Sequence, residues 1–488
     1  MKRAKVIVLP LLVVGLLAGC SFQDTWSKFT SIFKKNKGDT TVNLEIGEKI
    51  YSERILFDTS DASAKNASIK LEDAGEKITS VKIGREELVF NFSNKVLTIS
   101  AESLKKVGPG EKTATVAFED GKKKSVDIFN ATKFIKTAAD FQSIGASKKA
   151  CEGYYVLAND IDCSSISNFE PIGQYFSETD PTNFYFHGIL DGDGFAIKNV
   201  NCSYSDSPNG VSDQSYPSNY DVYSGSPKFS NPAHQAGDNT GIFQVIGSSG
   251  VVRNVAFDNC KVHGRTIVGV IAGNVMGKVE NVLINSNCQA KMDTHFYDDD
   301  CNVGAAFGIV AGSGNVKNII SLTTSVSLLG IYEDYGPDYQ GKSGNGWDHP
   351  SSTSDPANWW RFAGVSKKIP DSETLITDNN GKQSNGVYSV VGKCWGQVQN
   401  SVGASFKVTP YGETQFDVAF GHTHTAINKP TSGDSNLGSI ENCEVYALSE
   451  LKSASAYSSF SFNNSIWNIT DGSFPSLKQN IYRFELAK

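Results

Sequence analysis

Residues 250–257 read GVVRNVAF, and the phrase returns along the chain. GKVENVLI begins at Gly277, GNVKNIIS at Gly314, GQVQNSVG at Gly396 and GSIENCEV at Gly438, and FAIKNVNC at Phe195 is a variant. The shared core is Gly-x-Val/Ile-x-Asn. Ahead of several copies stands a second phrase, an apolar run around Gly: GIFQVIG, VGVIAG, FGIVAG and VYSVVG. The tightest spacing, Gly250 to Gly277, is 27 residues. That period, with two or three short strands per copy, is the signature of a β-solenoid, because one copy cannot bury its own apolar face. Stacking the next copy about 4.8 Å above sets Val on Val and Ile on Ile. The repeated Asn (Asn199, Asn254, Asn281, Asn318, Asn400, Asn442) falls at one phase of the coil. A side-chain amide both donates and accepts, so stacked amides bond to each other or to turn backbone. A recurring Asn then needs no catalytic explanation.

LDGDGFAIKNV, residues 190–200, poses the question of chemistry most sharply. Asp191 and Asp193 are either a metal or catalytic pair in a Gly-rich loop, or turn residues. Asp-Gly turn chemistry favours the second reading: Gly192 and Gly194 supply turn backbone, Ile197 and Val200 feed the core, and Asn199 joins the recurring Asn. The phrase is expected to be a coil corner.

YYVLANDIDCSSISNFEPIG, then FHGILDGDGFAIKNV, then TGIFQVIGSSGVVRNVAFDN together resemble the GLUG-type repeat region of bacterial surface proteins. SIWNITDGSFPSLK is similar to that family's terminal phrase. The resemblance covers about residues 137–478, with long insertions. It implies a right-handed parallel β-helix of the kind carried by adhesins and other cell-surface proteins, and no chemistry by itself.

Upstream, the chain changes character three times. MKRAK followed by VIVLPLLVVGLLAG and Cys20 has the form of an export signal over residues 1–19. Leu-Ala-Gly-Cys resembles the bacterial lipobox, which implies that Cys20 becomes a lipid-bearing N-terminus and that the protein is held in the cell envelope, at the outer membrane or cell surface. In residues 20–40, Phe22, Trp26, Phe29 and Phe33 recur at helical spacing, the pattern of either an amphipathic helix in the membrane interface or a flexible tether. Residues 41–131 alternate with period two between turn signals and are expected to form an immunoglobulin-like β-sandwich. Residues 132–147, TKFIKTAADFQSIGAS, place Phe134, Ile135, Ala138, Phe141 and Ile144 on one stripe, with Thr137 able to cap a helix that closes the solenoid occupying 132–488. The fold class expected is therefore all-β: a sandwich, a short capping helix, then the β-helix.

Three insertions interrupt the coils, at about 203–239, 291–302 and 332–385. All follow the Asn phrase and precede the next apolar-Gly strand, so they should leave one flank, the expected binding side of a repeat protein. A further irregular stretch covers about 403–437. The longest insertion carries Tyr332, Tyr335, Tyr339, Trp347, Trp359 and Trp360 among Asp, Asn and Ser. Rigid aromatics beside planar polar groups suit glycans or protein surfaces, and also suit pinning a loop to its scaffold.

The chemistry that can be read is sparse. The net charge of −7, with both signs dispersed, argues against a nucleic-acid partner. No His-Glu pair exists, which removes the metalloprotease activity of some repeat-sharing proteins. His422 and His424 lie two apart with no further ligand close in sequence, and Asp298, Asp299 and Asp300 read as a loop tip or a calcium knot. No cofactor, metal site or catalytic set is assigned. Eight Cys remain beyond Cys20. Cys288 and Cys301 are able to tie the acidic loop, or Cys260 and Cys288 to stack on neighbouring coils. Because many parallel β-helices are polysaccharide lyases or glycosidases, an enzyme reading stands beside the binding one, with Glu333, Asp334, Asp338 and Asp298–Asp300 as its carboxylates. A purely structural envelope role is the third reading.

Overall fold

The computed structural model describes residues 44–73, 75, 77–175, 180–203, 239–264, 267–294, 302–330, 386–405 and 438–483. The fold is all-β, built around stacked parallel strands.

The first body is two sheets on one core. One sheet orders the strands Ile50–Tyr51, Ala67–Lys70, Val96–Ile99 and Phe90–Ser93. The other orders Arg54–Asp58, Lys123–Ala131, Gly110–Phe118, Ile78–Ile83 and Glu86–Glu87, with Arg54–Asp58 running parallel to Lys123–Ala131. Alternation drives it: in Gly110–Phe118, Ala114, Val116 and Phe118 face in while Glu111, Thr113 and Thr115 do not. Ile55, Phe57, Ile69, Val81, Leu97 and Phe129 meet in the shared core, each contributing about 1.5–3 kcal/mol by burial. A helix, Ala101–Val107, interrupts the alternation. Ser100 caps it by accepting from Ser103 N, and Gly108 ends it at φ 71°. The two-residue pattern hid this element because it sits between two good strands.

The capping segment differs from expectation in a specific way. Lys133–Ile135 is not helical but pairs in parallel register with Tyr155–Leu157. The helix is Ala138–Gln142 alone, started by a reciprocal Thr137–Asp140 capping box. It continues as a 3₁₀ turn, Ser143–Gly145, and a further helix, Lys148–Cys151. The helical stripe splits accordingly: Phe134 packs with the sandwich core, whereas Ile135, Ala138, Phe141 and Ile144 close the end of the solenoid core. β-Pairing across to residues 155–157 won over local helix propensity at residues 133–135.

The solenoid coil has four faces. The first contains Ile189–Asp191 and Ala196–Lys198, then Val251–Asp258, Lys278–Ile284, Asn315–Ser321, Gln397–Ala404 and Ser439–Tyr446. The second stacks Asn201–Ser203, Lys261–Gly264, Gln289–Thr294 and Ser325–Gly330. The third stacks Ile267–Val268, Asn302–Gly304 and Gly386–Tyr388. The fourth stacks Phe243–Ile246, Ala272–Val275, Phe307–Val310 and Val391–Cys394. All pairings between coils are parallel and in register, so like sits on like: Val252, Val279, Val316 and Val398 form one inward column and are fully buried.

The repeated Gly follows from this closeness. A Cβ on Gly277 would lie 2.3 Å from the carbonyl oxygens of both Gly247 and Gly250 in the coil below. Gly314, Gly396 and Gly438 are crowded the same way by the preceding turn.

SIWNITDGSFPSLK is not a final coil. After Tyr446 the chain turns back and runs along the outside of the first face. Leu451, Tyr457, Phe460, Trp467 and Leu477 cover the outward apolar row Ala256, Leu283, Ile320 and Val402. Trp467 and Leu477 also pair with each other in an antiparallel ladder.

Gly277→Ala is expected to destabilise the fold by about 1–3 kcal/mol, the range for forcing extra atoms into a packed interior. Urea unfolding followed by circular dichroism measures it, and an unchanged midpoint would refute the close-approach argument.

Candidate functional site

The loop-bearing corner lies between the second and third faces. The chain leaves it after Ser203 and returns at Asn239. It leaves again after Gly264 and returns at Ile267, leaves after Thr294 and returns at Asn302, and leaves after Gly330 and returns at Gly386. Four successive coils therefore open at one place, and one of them closes the gap with two residues. The base of the corner is dry. Cys202, Val262, Ala290 and Val326 stack inward below it, and Asn239, Thr240 and Asn302 are buried beside it. Asn168 clamps the first exit by accepting from Ser203 N at 2.9 Å and donating to Ser203 O at 3.0 Å. His263 on the next coil touches Ser203 Oγ through Nδ1 at 3.2 Å. Loops set on a fixed base of this kind are the usual arrangement for recognition. The stretch after Ser405 differs: the described chain resumes at Gly438, and Ser439–Tyr446 pairs directly with Gln397–Ala404 on the first face.

A bend inside the first-face strands is held by side chains. Asn254, Asn281, Asn318, Asn400 and Asn442 all have φ between 51° and 57°, the left-handed region that Asn tolerates better than other non-glycine residues. Each Nδ2 donates to the Oδ1 of the coil below: Asn281 to Asn254 at 2.9 Å, Asn318 to Asn281 at 2.9 Å, Asn400 to Asn318 at 2.6 Å and Asn442 to Asn400 at 2.9 Å. Asn254 in turn donates to Asp191 Oδ1 at 3.2 Å, which makes the carboxylate the foot of the ladder.

Asn199 does not belong to this ladder. In register, Leu190 meets Val252 and Asp191 meets Arg253, but Ala196 meets Ala256. Gly192–Phe195 therefore holds two more residues than Asn254–Val255, and Asn199 moves on to the next corner. There it accepts from Asn259 Nδ2 at 2.7 Å and donates to Asp162 Oδ1 at 2.9 Å. The extra residues take the turn at Asp193 (φ 47°) and Gly194 (φ 81°), with Gly192 N and Gly194 N bonding to the carbonyls of Arg253 and Asn254.

Asp191 and Asp193 are both buried and covered by the C-terminal segment, so they present no open face to a substrate. Asp191 accepts from Arg253 Nε at 2.6 Å and Tyr482 OH at 2.9 Å. Arg253 continues to Glu111 Oε1 at 2.8 Å, which Arg54 also contacts at 3.0 Å. Burial works against the Arg253 charge, but Asp191, then Tyr482 and Glu111, outweigh it and raise its pKa further. The repeat phrase aligns Arg253 with Lys198 rather than with Asp191, so the sequence pattern pointed to neither Arg253 nor Tyr482 as a partner.

The remaining candidates divide cleanly. Cys20, Tyr332, Tyr335, Tyr339, Trp347, Trp359 and Trp360 lie outside the described residues, as do Asp298–Asp300, Glu333, Asp334, Asp338, His422 and His424. The Cys288–Cys301 bridge is not formed: Cys288 is a free, buried thiol, and Cys301 lies outside the described residues. Cys288 sits instead against Cys260 of the neighbouring coil, whose backbone N–H donates to its Sγ at 3.4 Å. Burial, and then the adjoining Cys288, push the Cys260 thiol well above its usual range, so the pair packs as apolar filling. Among the described residues no cluster of three or more His, Cys, Asp or Glu is placed to hold a metal, and no helix is long and apolar enough to cross a membrane.

No family model matches the chain, and no solved structure matches it. A stretch of 156 residues is 29% identical to halomucin from Haloquadratum walsbyi, covering 30% of this chain. The match takes in 1% of halomucin's own length.

Asn281→Ala removes one donated and one accepted amide bond at a buried, left-handed position. A loss of about 1–3 kcal/mol is expected. Asn281→Gly keeps the backbone accessible and should lose less. Equal losses in denaturant unfolding would show that the backbone angle carries no part of the effect.

Proposed function

We propose that this is an envelope-anchored surface protein that binds a glycan or a surface protein of a host or neighbouring cell through loops on one corner of its β-helix. The observation that carries the reading is the shared exit point. Three segments, 204–238, 295–301 and 331–385, leave three of four successive coils at the same corner, over a base that is buried and, at the first exit, clamped. An assembly whose loops were mere padding would have no need to gather them. The aromatic side chains of the longest segment, Tyr332 to Trp360, are the anchors we assign to ligand contact.

The rest of the chain serves display. Cys20 carries the lipid, residues 20–40 tether it, the immunoglobulin-like sandwich lifts the solenoid, and the GLUG-type repeats form the rod. The similarity to halomucin, over 1% of that protein's length, is in keeping with a surface location. The burial of Asp191 and Asp193 takes that pair out of any catalytic role, whereas the carboxylates of the polysaccharide-degrading reading, Glu333, Asp334, Asp338 and Asp298–Asp300, lie outside the described residues.

A chain lacking residues 1–43 should bind a glycan array or intact cells. Deleting residues 332–385 should reduce that binding at least tenfold while the far-ultraviolet spectrum is preserved. Release of unsaturated or reducing sugar from a polysaccharide panel, or full binding by the deletion, would overturn the proposal. Separately, Cys20→Ala should move the full-length protein from the membrane fraction to the soluble one.

A further inference from the structure

The last described residues return to the beginning of the chain. Asn480 N donates to Asp193 O at 2.8 Å, and Lys49 Nζ donates to Asn480 Oδ1 at 3.2 Å. Ser52 N donates to Tyr482 O at 2.9 Å, and Tyr51 forms an antiparallel bridge with Arg483. Tyr482 OH donates to Asp191 and accepts from Asn254 Nδ2 at 2.9 Å, while the Arg54 guanidinium lies over its ring, 5.6 Å from the centroid. The backbone amides of Ile481 and Tyr482 lie on the side of Asp193 where they favour its carboxylate form. Gln479 Nε2 donates to Asp160 Oδ1 at 3.1 Å, so five consecutive residues join the sandwich, the DGDG corner and the coils below and above it.

We propose that residues 479–483 are a latch that locks the sandwich to the solenoid, and that protonation of Asp193 sets how firmly it closes. The geometry makes Asp193 the responsive group. It is 4% exposed, and its Oδ1 has no hydrogen-bond partner. Its neighbour Asp191 already holds the negative charge that Arg253 neutralises, so a second carboxylate charge beside it meets repulsion in a dry setting. The groups around Asp193 are Asp191 on its own loop, Lys49 and Tyr51 on the sandwich, Tyr482 and Arg483 on the latch, and Arg253 on the next coil. Glu111 and Arg54 stand one contact further out. Burial, and then the Asp191 charge, hold Asp193 up at about 7, with Lys49 and the Ile481 and Tyr482 amides pulling the other way.

The sign follows from linkage. A released latch exposes Asp193 to water, where its pKa returns to about 4. Between about pH 4 and 7 the closed form carries the extra proton, so closure is favoured at the acid end and weakens by up to about tenfold per pH unit on the way up. Above about pH 8 the loss is complete and closure no longer varies with this group.

Hydrogen exchange on the full chain, read by mass spectrometry over residues 479–483 and corrected for intrinsic rates, tests this. Protection should fall by roughly 50- to 100-fold between pH 5 and pH 8. In Asp193→Asn, which mimics the neutral acid, protection should not depend on pH. Lys49→Met removes the cation that favours the carboxylate and should move the midpoint upward; it decides the matter if Asp193→Asn does not fold. Flat protection in the unaltered chain, the same slope in Asp193→Asn, or an unmoved midpoint in Lys49→Met would each overturn the proposal.

Discussion

One hydrogen bond, made repeatedly between Asn side chains of successive coils, sets the terms for this structure. The first face of each coil must bend inside a strand without losing register. The bend places a non-glycine residue at φ near 55°, a region that costs ordinary residues about 1–2 kcal/mol. Asn reduces that cost and uses its amide to tie the bend to the one below. In-register stacking then follows, because an amide that donates downward and accepts from above is satisfied only when the coils align. The valine columns and the glycine beside each repeat depend on that alignment.

The foot and the flank of the ladder explain the two features that look most like chemistry. At the foot stands Asp191, not Asn, and a carboxylate there needs a cation and further donors. Arg253, Tyr482 and Asn254 supply them. On the flank, the outward row after each Asn is apolar, and the returning segment with Trp467 and Leu477 keeps it from water. The insertions sit at another corner, between the second and third faces, where their length does not disturb the bonded column.

The repeat was legible because register makes it so: a Gly that a neighbouring carbonyl forbids from gaining a Cβ, and an Asn that must meet its like, recur visibly at fixed spacing. Asn199 was misplaced because the two extra residues in Gly192–Phe195 shift phase at the corner, which a match to the Gly-x-Val/Ile-x-Asn phrase does not register. The helix at residues 101–107 was hidden between two alternating strands although Ser100 and Gly108 bound it locally, whereas the strand at 133–135 was decided by pairing with residues 155–157. The path of residues 447–483 had no sequence signal, as Tyr482 bonds to Asp191 and Asn254, 291 and 228 residues away. Of the loop-bearing corner, the shared phase of the insertions was legible in the sequence, and the structure added the buried base at their exits.

A double-mutant cycle on the ladder addresses the central claim most directly. Asn281→Ala, Asn318→Ala and the pair together would be compared by equilibrium unfolding, with Asn254→Ala and Asn442→Ala as a non-contacting control. An amide-to-amide bond that sets the register predicts a coupling of about 0.5–3 kcal/mol for the first pair and additivity for the control. Additivity in both pairs would mean that the columns of apolar side chains align the coils without the ladder.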